Sequence, residues 1–222
     1  MEEAKAMGIE IKKLVLGSVS TNCYIVYNKE TKEALVVDPS ANTERIKDMI
    51  VTNGLALKAI LLTHGHFDHI MATTALVQIF QVPVYCHEAE QDILENPDLN
   101  LSTLLGSEEY TMKASNLVKD GECLQLIGEK IQVIHTPGHT KGGVCYYFIE
   151  EDCIFVGDTI FLESIGRTDL PTGDGATLIR SIKEKLYVLD NKVVIYPGHG
   201  PATSIGYEKE NNPYTSEEVF WA

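Results

Sequence analysis

Between the apolar run Ala59-Ile60-Leu61-Leu62 and Ile70, the stretch THGHFDH sets His64, His66, Asp68 and His69 almost side by side. Three imidazoles and a carboxylate so close together repel one another when protonated and are costly to bury. A cation resolves both problems, because neutral imidazole is the commonest metal ligand and a His-x-His spacing lets two rings converge on one ion. Taken singly, Asp68 could cap a helix and each histidine could be an ordinary core or surface residue. Together in one loop they point to metal.

One loop is not a complete site, so further ligands are expected at other strand ends. TPGHT places His139 after a strand over 130–135, FVGDT places Asp158 after a strand over 153–156, and YPGHG places His199 after a strand over 193–196. Each is an apolar strand followed by glycine beside a ligand-type side chain, so all four loops can open on one edge of the sheets. Glycine lets the backbone turn sharply and come close to a metal. Seven groups, His64, His66, Asp68, His69, His139, Asp158 and His199, exceed the needs of one tetrahedral or five-coordinate ion. They divide into three and three with one shared carboxylate, which predicts two divalent metal ions. Imidazole and carboxylate suit Zn2+ first, with Fe or Mn as alternatives.

The elements that must carry these loops are short. IEIKKLVLG, TNCYIVYN and EALVVDPS, bounded by Gly, Ser, Asn or Pro, are meandering strands. Ile46, Met49 and Ile50 lie on one face of a helix over 42–53 that Gly54 stops. A strand over 57–62 leads into the histidine loop, a helix follows over 69–80, and Pro83 to Cys86 form a short buried strand. GECLQL, EKIQVIHT, GVCYYFIE and DCIFVGD are four more strands, followed by a helix over 174–189 and a last strand, KVVIYP. The two halves echo one another loosely, each ending in strand, polar loop and helix. Residues 95–116 are the least periodic and are expected to form an insertion over one rim. The expected organisation is one domain, 1–222, with two sheets and outer helices.

At 222 residues, 44% of them apolar, the chain can bury a substantial core. Its net charge of -14 and the lack of a Lys/Arg block disfavour a nucleic-acid partner. No apolar run is long enough to span a membrane, and MEEAKAMGIEIKK has no leader pattern, so a cytoplasmic location is expected. The five cysteines contain no C-x-x-C pair and suit reduced thiols, four of them in apolar strands.

The set His64-x-His66-x-Asp68-His69 with His139, Asp158 and His199 resembles the metallo-β-lactamase superfamily, in particular its glyoxalase II (hydroxyacylglutathione hydrolase) type. SIGRTDLPTGD and YPGHGPATSIGYEKENNPY look like short bacterial members of that group. The resemblance implies an α/β fold, an αββα four-layer sandwich. It also implies that His64, His66 and His139 hold one metal, Asp68, His69 and His199 the other, and that Asp158 bridges. A water clamped between two such ions ionises near neutral pH and would attack the carbonyl of a thioester or related small acyl ester. Asp68 would orient that nucleophile as the catalytic residue. Two divalent ions would leave the pocket slightly positive within an acidic chain, so a small anionic substrate is expected.

Arg167 stands where glyoxalase II enzymes carry a cation that grips glutathione, and Lys141 is a candidate for the rim; both are expected to bind substrate. An ion pair with Asp169 or Asp174 is the other reading for Arg167. His87 and His135 are expected to be structural, and Tyr24, Tyr146 and Tyr147 core aromatics. The resemblance admits a rival: persulfide dioxygenases share these ligands and Gly166-Arg167-Thr168-Asp169, and use one iron held by two His and an Asp. A nuclease of the superfamily would need a basic face, and a flavin-partnered di-iron reductase would place a glutamate where His66 stands.

Overall fold

The computed structural model describes residues 8–105 and 108–216. The N-terminal heptapeptide, both ends of the expected 1–222 domain and residues 106–107 of the expected insertion lie outside the described residues.

The first half builds a six-stranded sheet from β1 (Ile9–Leu16), β2 (Thr21–Asn28), β3 (Glu33–Val37), β4 (Ala56–Leu61), β5 (Val84–His87) and β6 (Asn116–Val118), in that order. β1 to β3 pair antiparallel, and β3 to β6 pair parallel. The parallel pairs need crossovers. α1 (Thr43–Thr52) supplies the first, capped by the Asn42 side chain on the Arg45 N–H and burying Ile46 and Ile50. The expected helix over 69–80 is instead two pieces, α2 (Phe67–Ile70) and α3 (Thr73–Phe80). The break has a tertiary cause: the Ala72 N–H donates to Pro39 O at 2.9 Å rather than continuing the α2 ladder. That bond ties the short helix carrying Asp68 and His69 to the loop after β3.

The second half gives β7 (Cys123–Leu126), β8 (Glu129–His135), β9 (Val144–Phe148) and β10 (Cys153–Gly157), a small hairpin β11 (Ile160–Phe161) and β12 (Ser164–Ile165), then β13 (Val194–Pro197) and β14 (Thr203–Ser204). The second sheet runs β14-β13-β10-β9-β8-β7, antiparallel except for β10 beside β13. The expected helix over 174–189 is an α-helix, Gly175–Ser181, that widens into a π turn over Ile182–Leu186.

Apolar alternation on both sheets accounts for the layers. Tyr24, Val26, Leu35, Val37 and Leu61 of the first sheet meet Ile131, Val133, Tyr146, Phe148 and Phe155 of the second in one buried cluster. Behind the first sheet, Val36, Ile60 and Leu62 pack on Ile46, Ile50 and Leu76 of the helices. Behind the second, Ile154 and Ile195 pack on Leu178, Ile182 and Leu186. Helix, sheet, sheet and helix are the four layers of an αββα sandwich. Cys23, Cys86, Cys145 and Cys153 are buried in it, while Cys123 is exposed. Tyr24 and Tyr146 are core residues as expected, and Tyr147 is partly buried against the outer helix.

β3, β4, β8, β10 and β13 all end at one rim, and β2 starts there. The loops that follow these ends carry the polar residues singled out above.

Candidate metal centre

The THGHFDH loop leaves β4 with its backbone fixed at both ends. The Thr63 N–H donates to Asp38 Oδ1 at 2.8 Å, and the Gly65 N–H donates to Glu90 Oε2 at 3.1 Å. His66 is extended and ends the loop, so Asp68 and His69 fall in the first turn of α2. From the other sheet, the loop after β8 brings His139, that after β10 brings Asp158, and that after β13 brings His199.

The seven side chains converge in two groups. His64, His66 and His139 present one ligand atom each, all within 4.8 Å of one another, and Asp68, His69 and His199 do the same. Asp158 stands between the groups. Its Oδ1 is 3.4 Å from His69 Nε2, and its Oδ2 is 3.7 Å from His139 Nε2 and 3.5 Å from His199 Nε2. Asp68 Oδ2 lies 3.4 Å from both His69 Nε2 and His199 Nε2. His66 Nδ1 and His139 Nε2 approach to 2.9 Å.

Whether these residues fit cations can be read from what they lack. His64 Nε2, His66 Nε2, His69 Nε2 and Asp158 Oδ1 are buried with no hydrogen-bond partner among the described residues. Buried polar atoms are nearly always paired, and four orphans in one cluster need an explanation. Charge gives the same answer. Burial works against charge on His69, yet the carboxylates of Asp68, Asp158 and Asp38 outweigh it and push His69 up to about 10. His199 is likewise raised against burial, by its bond to Asp68 and by Asp158. Burial also opposes ionisation of Asp68, but His69, His199 and Thr21 hold its carboxyl far below the usual range. In the first group burial dominates, and His64, His66 and His139 are all lowered. One group is neutral imidazole ready to ligate, and the other holds carboxylates that demand positive charge. The donor set fits divalent metal.

Several residues that set this geometry give little sign of themselves in the sequence. Asp38 Oδ2 lies 2.9 Å from His69 Nδ1 and accepts the Thr63 hydroxyl at 2.6 Å. The Thr21 hydroxyl donates to Asp68 Oδ2 at 2.7 Å. Asn22 and Tyr24, in the same strand, donate to Pro197 O at 2.9 and 2.7 Å and so clasp the His199 loop. Glu90, fully buried, accepts from Gly65 of one sheet's loop and from the Thr140 hydroxyl and Gly142 N–H of the other's. Asp38 follows an apolar strand as Asp158 does but lacks the glycine beside it, and Glu90 and Thr21 carry no such local pattern at all.

Glycine before His199 is required by space, since a Cβ at Gly198 would stand 2.2 Å from Asp158 Oδ1 and 2.7 Å from His69 Cε1. The Arg167 carbonyl accepts from His139 Nδ1 at 2.7 Å, so this residue touches the centre through its backbone. Its guanidinium lies in a bidentate pair with Asp169, both bonds 2.8 Å, and Lys141 is paired with Asp92. Both side chains are solvent-exposed and each is already paired with a carboxylate. His87 and His135 stack at 4.0 Å outside both groups.

Residues 16–199 match the family model of the metallo-beta-lactamase superfamily. A Bacillus subtilis relative named "Probable metallo-hydrolase YqgX" is 36% identical over 91% of this chain and 96% of its own length. "Hydroxyacylglutathione hydrolase GloC" of Haemophilus influenzae is 36% identical over 96% of this chain and all of its own. Among solved structures, the BLEG-1 B3 metallo-beta-lactamase superposes with a TM-score of 0.89 at 40% identity, covering 93% of this chain and 100% of its own. TTHA1623, in a di-iron-bound form, superposes at 0.81 with 35% identity, over 91% and 99%. No helix of the described residues is long and apolar enough to cross a membrane.

Proposed function

The chain belongs to the metallo-beta-lactamase superfamily, and from that premise we propose that it is a hydrolase of thioesters, or of related small acyl esters, working at a two-metal centre. The observation that carries this reading is the position of Asp158 between two triads of ligand atoms, with its buried Oδ1 unpartnered. His64, His66 and His139 would hold one ion, Asp68, His69 and His199 the other, with Asp158 shared. Ions in these cages would acidify a water to near neutrality and polarise a carbonyl. Zinc is the first expectation, and the iron in TTHA1623 keeps iron beside it.

The chain's own residues supply the rest. Asp38 and the Arg167 carbonyl take the outer nitrogens of His69 and His139, so Nε2 of each faces inward. Thr21 fixes Asp68 through Oδ2, and the same carboxylate lines the adjoining cavity, where it can orient a water and relay its proton. A thiolate departs with little help, since a free thiol has a pKa of about 8.5, whereas an alkoxide needs a proton. That difference, together with the relative named a hydroxyacylglutathione hydrolase, supports thioesters over other esters.

The test is elemental analysis of the purified protein with a panel of thioesters, lactones, phosphodiesters and glutathione persulfide. Two metals per chain and thioester cleavage abolished by chelator are expected. The alternative of a one-iron persulfide dioxygenase is favoured by Gly166-Arg167-Thr168-Asp169. A single iron with oxygen uptake on persulfide would replace the hydrolase reading.

A further inference from the structure

Beside the centre lies a cavity of about 450 Å3, within the range of small-molecule pockets. Three parts of the chain wall it: the β1–β2 turn with Val19, the α1 approach with Ala41, and α2 with Phe67 and Met71; Leu105 closes it from the otherwise unperiodic 95–116 segment. Val19 and Leu105 are 48% and 53% exposed, large apolar groups held in water at the mouth. The one charged residue in the wall is Asp68, already committed to the metal cluster, and no Lys or Arg among the described residues lines it. Ser40, in the same wall, is 1% exposed and its Oγ has no hydrogen-bond partner among the described residues.

Away from the metal centre, an anionic group finds no Lys or Arg in this wall to pair with. Burying a carboxylate without a cation or donors is costly. A hydrocarbon group gains about fourfold in binding for each methylene removed from water. We propose that this cavity receives an uncharged, apolar group flanking the scissile carbonyl, so that the substrates are thioesters with a hydrocarbon chain on one side. The proposal rests on the hydrolase reading and names the substrate class of that same site.

Two series test it on the metal-loaded full chain: thioesters of one neutral thiol with acyl chains of growing length, and acetyl thioesters of alkylthiols of growing length. Each is paired with members ending in a carboxylate. In one series kcat/KM should rise about fourfold per methylene until the cavity is full. A terminal carboxylate should cancel the gain, and Leu105→Lys should restore turnover of the carboxylated members selectively. Non-cleavable thioethers of the same chains, titrated by calorimetry, should show the same order of affinity whether or not the protein turns over any ester. A flat response to length in both series and in the titrations, or a preference for the carboxylated members by the unaltered chain, would overturn the proposal. Length-dependent binding of the thioethers without cleavage of any thioester would leave this pocket standing and remove the hydrolase reading instead.

Discussion

Asp38 Oδ2 sits 2.9 Å from His69 Nδ1, and both side chains are buried. The contact sets which face of the ring is free: with Nδ1–H donated to the Asp38 carboxylate, Nε2 is the nitrogen turned toward Asp68 and Asp158, the one that would ligate once its proton is lost. Carboxylate partners behind ligating histidines are typically worth about 10–100-fold in metal affinity or activity. Asp38→Ala should therefore weaken one of the two proposed metals by that factor and leave the other nearly unchanged. Asp38→Asn, which keeps an acceptor and tolerates the left-handed backbone at φ 50, should lose less. Competition with a chromogenic chelator reads both constants. Equal loss at the two sites in Asp38→Ala would mean that the residue holds the fold rather than one ring.

Glu90 plays a related part between the sheets, joining Gly65 to Thr140 and Gly142. Three donors favour its ionised form, but burial outweighs them and pushes its carboxyl up to about 7. An acid whose pKa is higher folded than unfolded binds more protons in the folded state. Stability then falls as pH rises from about 4.5 to about 7, and is fully present below that window. The full span corresponds to about 3 kcal/mol. Glu90→Gln cannot titrate, so urea midpoints of the two proteins should diverge across this window and run parallel above it. Parallel curves throughout would show that folding does not shift the Glu90 pKa.

These two carboxylates mark the limit of what the sequence discloses. The ligand loops were legible because their signal is local: an apolar strand, a glycine and a ligand-type side chain occupy adjacent positions, four times over. Glu90 sits in a short turn whose composition resembles any solvated surface, and its meaning arises only when residues 65 and 142 are brought to it. The same holds for the broken helix. Periodicity over 69–80 is real, but the bond from Ala72 to Pro39 is a tertiary event that no local pattern encodes. In the 95–116 segment the reading of an insertion over one rim missed its inward contacts. Asn100 is fully buried, its carbonyl accepts the Phe67 N–H at 2.8 Å, and Leu105 walls the cavity.

Thr21 offers a narrower test of the proposed role of Asp68. Its hydroxyl is fully buried and donates to Asp68 Oδ2, an oxygen also 3.4 Å from His69 and from His199. Thr21→Val keeps the shape of the side chain and removes only the donor. We expect kcat to fall roughly tenfold, in line with losses on removing outer-shell partners, with little change in KM. Restoration by Thr21→Ser would assign the effect to the hydroxyl. A rise in KM alone would place Thr21 in substrate binding.

Metal removal should reach stability as well as activity, because the orphaned atoms of His64, His66, His69 and Asp158 are buried in the folded chain. Their pairing is regained only when a cation binds the folded form, which therefore gains stability by mass action, about 2.7 kcal/mol at a metal concentration one hundredfold above Kd. Thermal midpoints should accordingly rise with added Zn2+ and fall on chelation. Gly198→Ala separates this gain from nonspecific salt effects. Its Cβ would enter the space of Asp158 Oδ1, displacing the carboxylate shared by both triads. The variant should show little Zn2+-dependent shift, read against its own metal-free midpoint, which the same clash also lowers. Because imidazole must lose its proton to ligate, the shift in the unaltered chain should shrink as pH falls. A Gly198→Ala protein stabilised by Zn2+ as fully as the parent would show that Asp158 is not the group that couples the two sites.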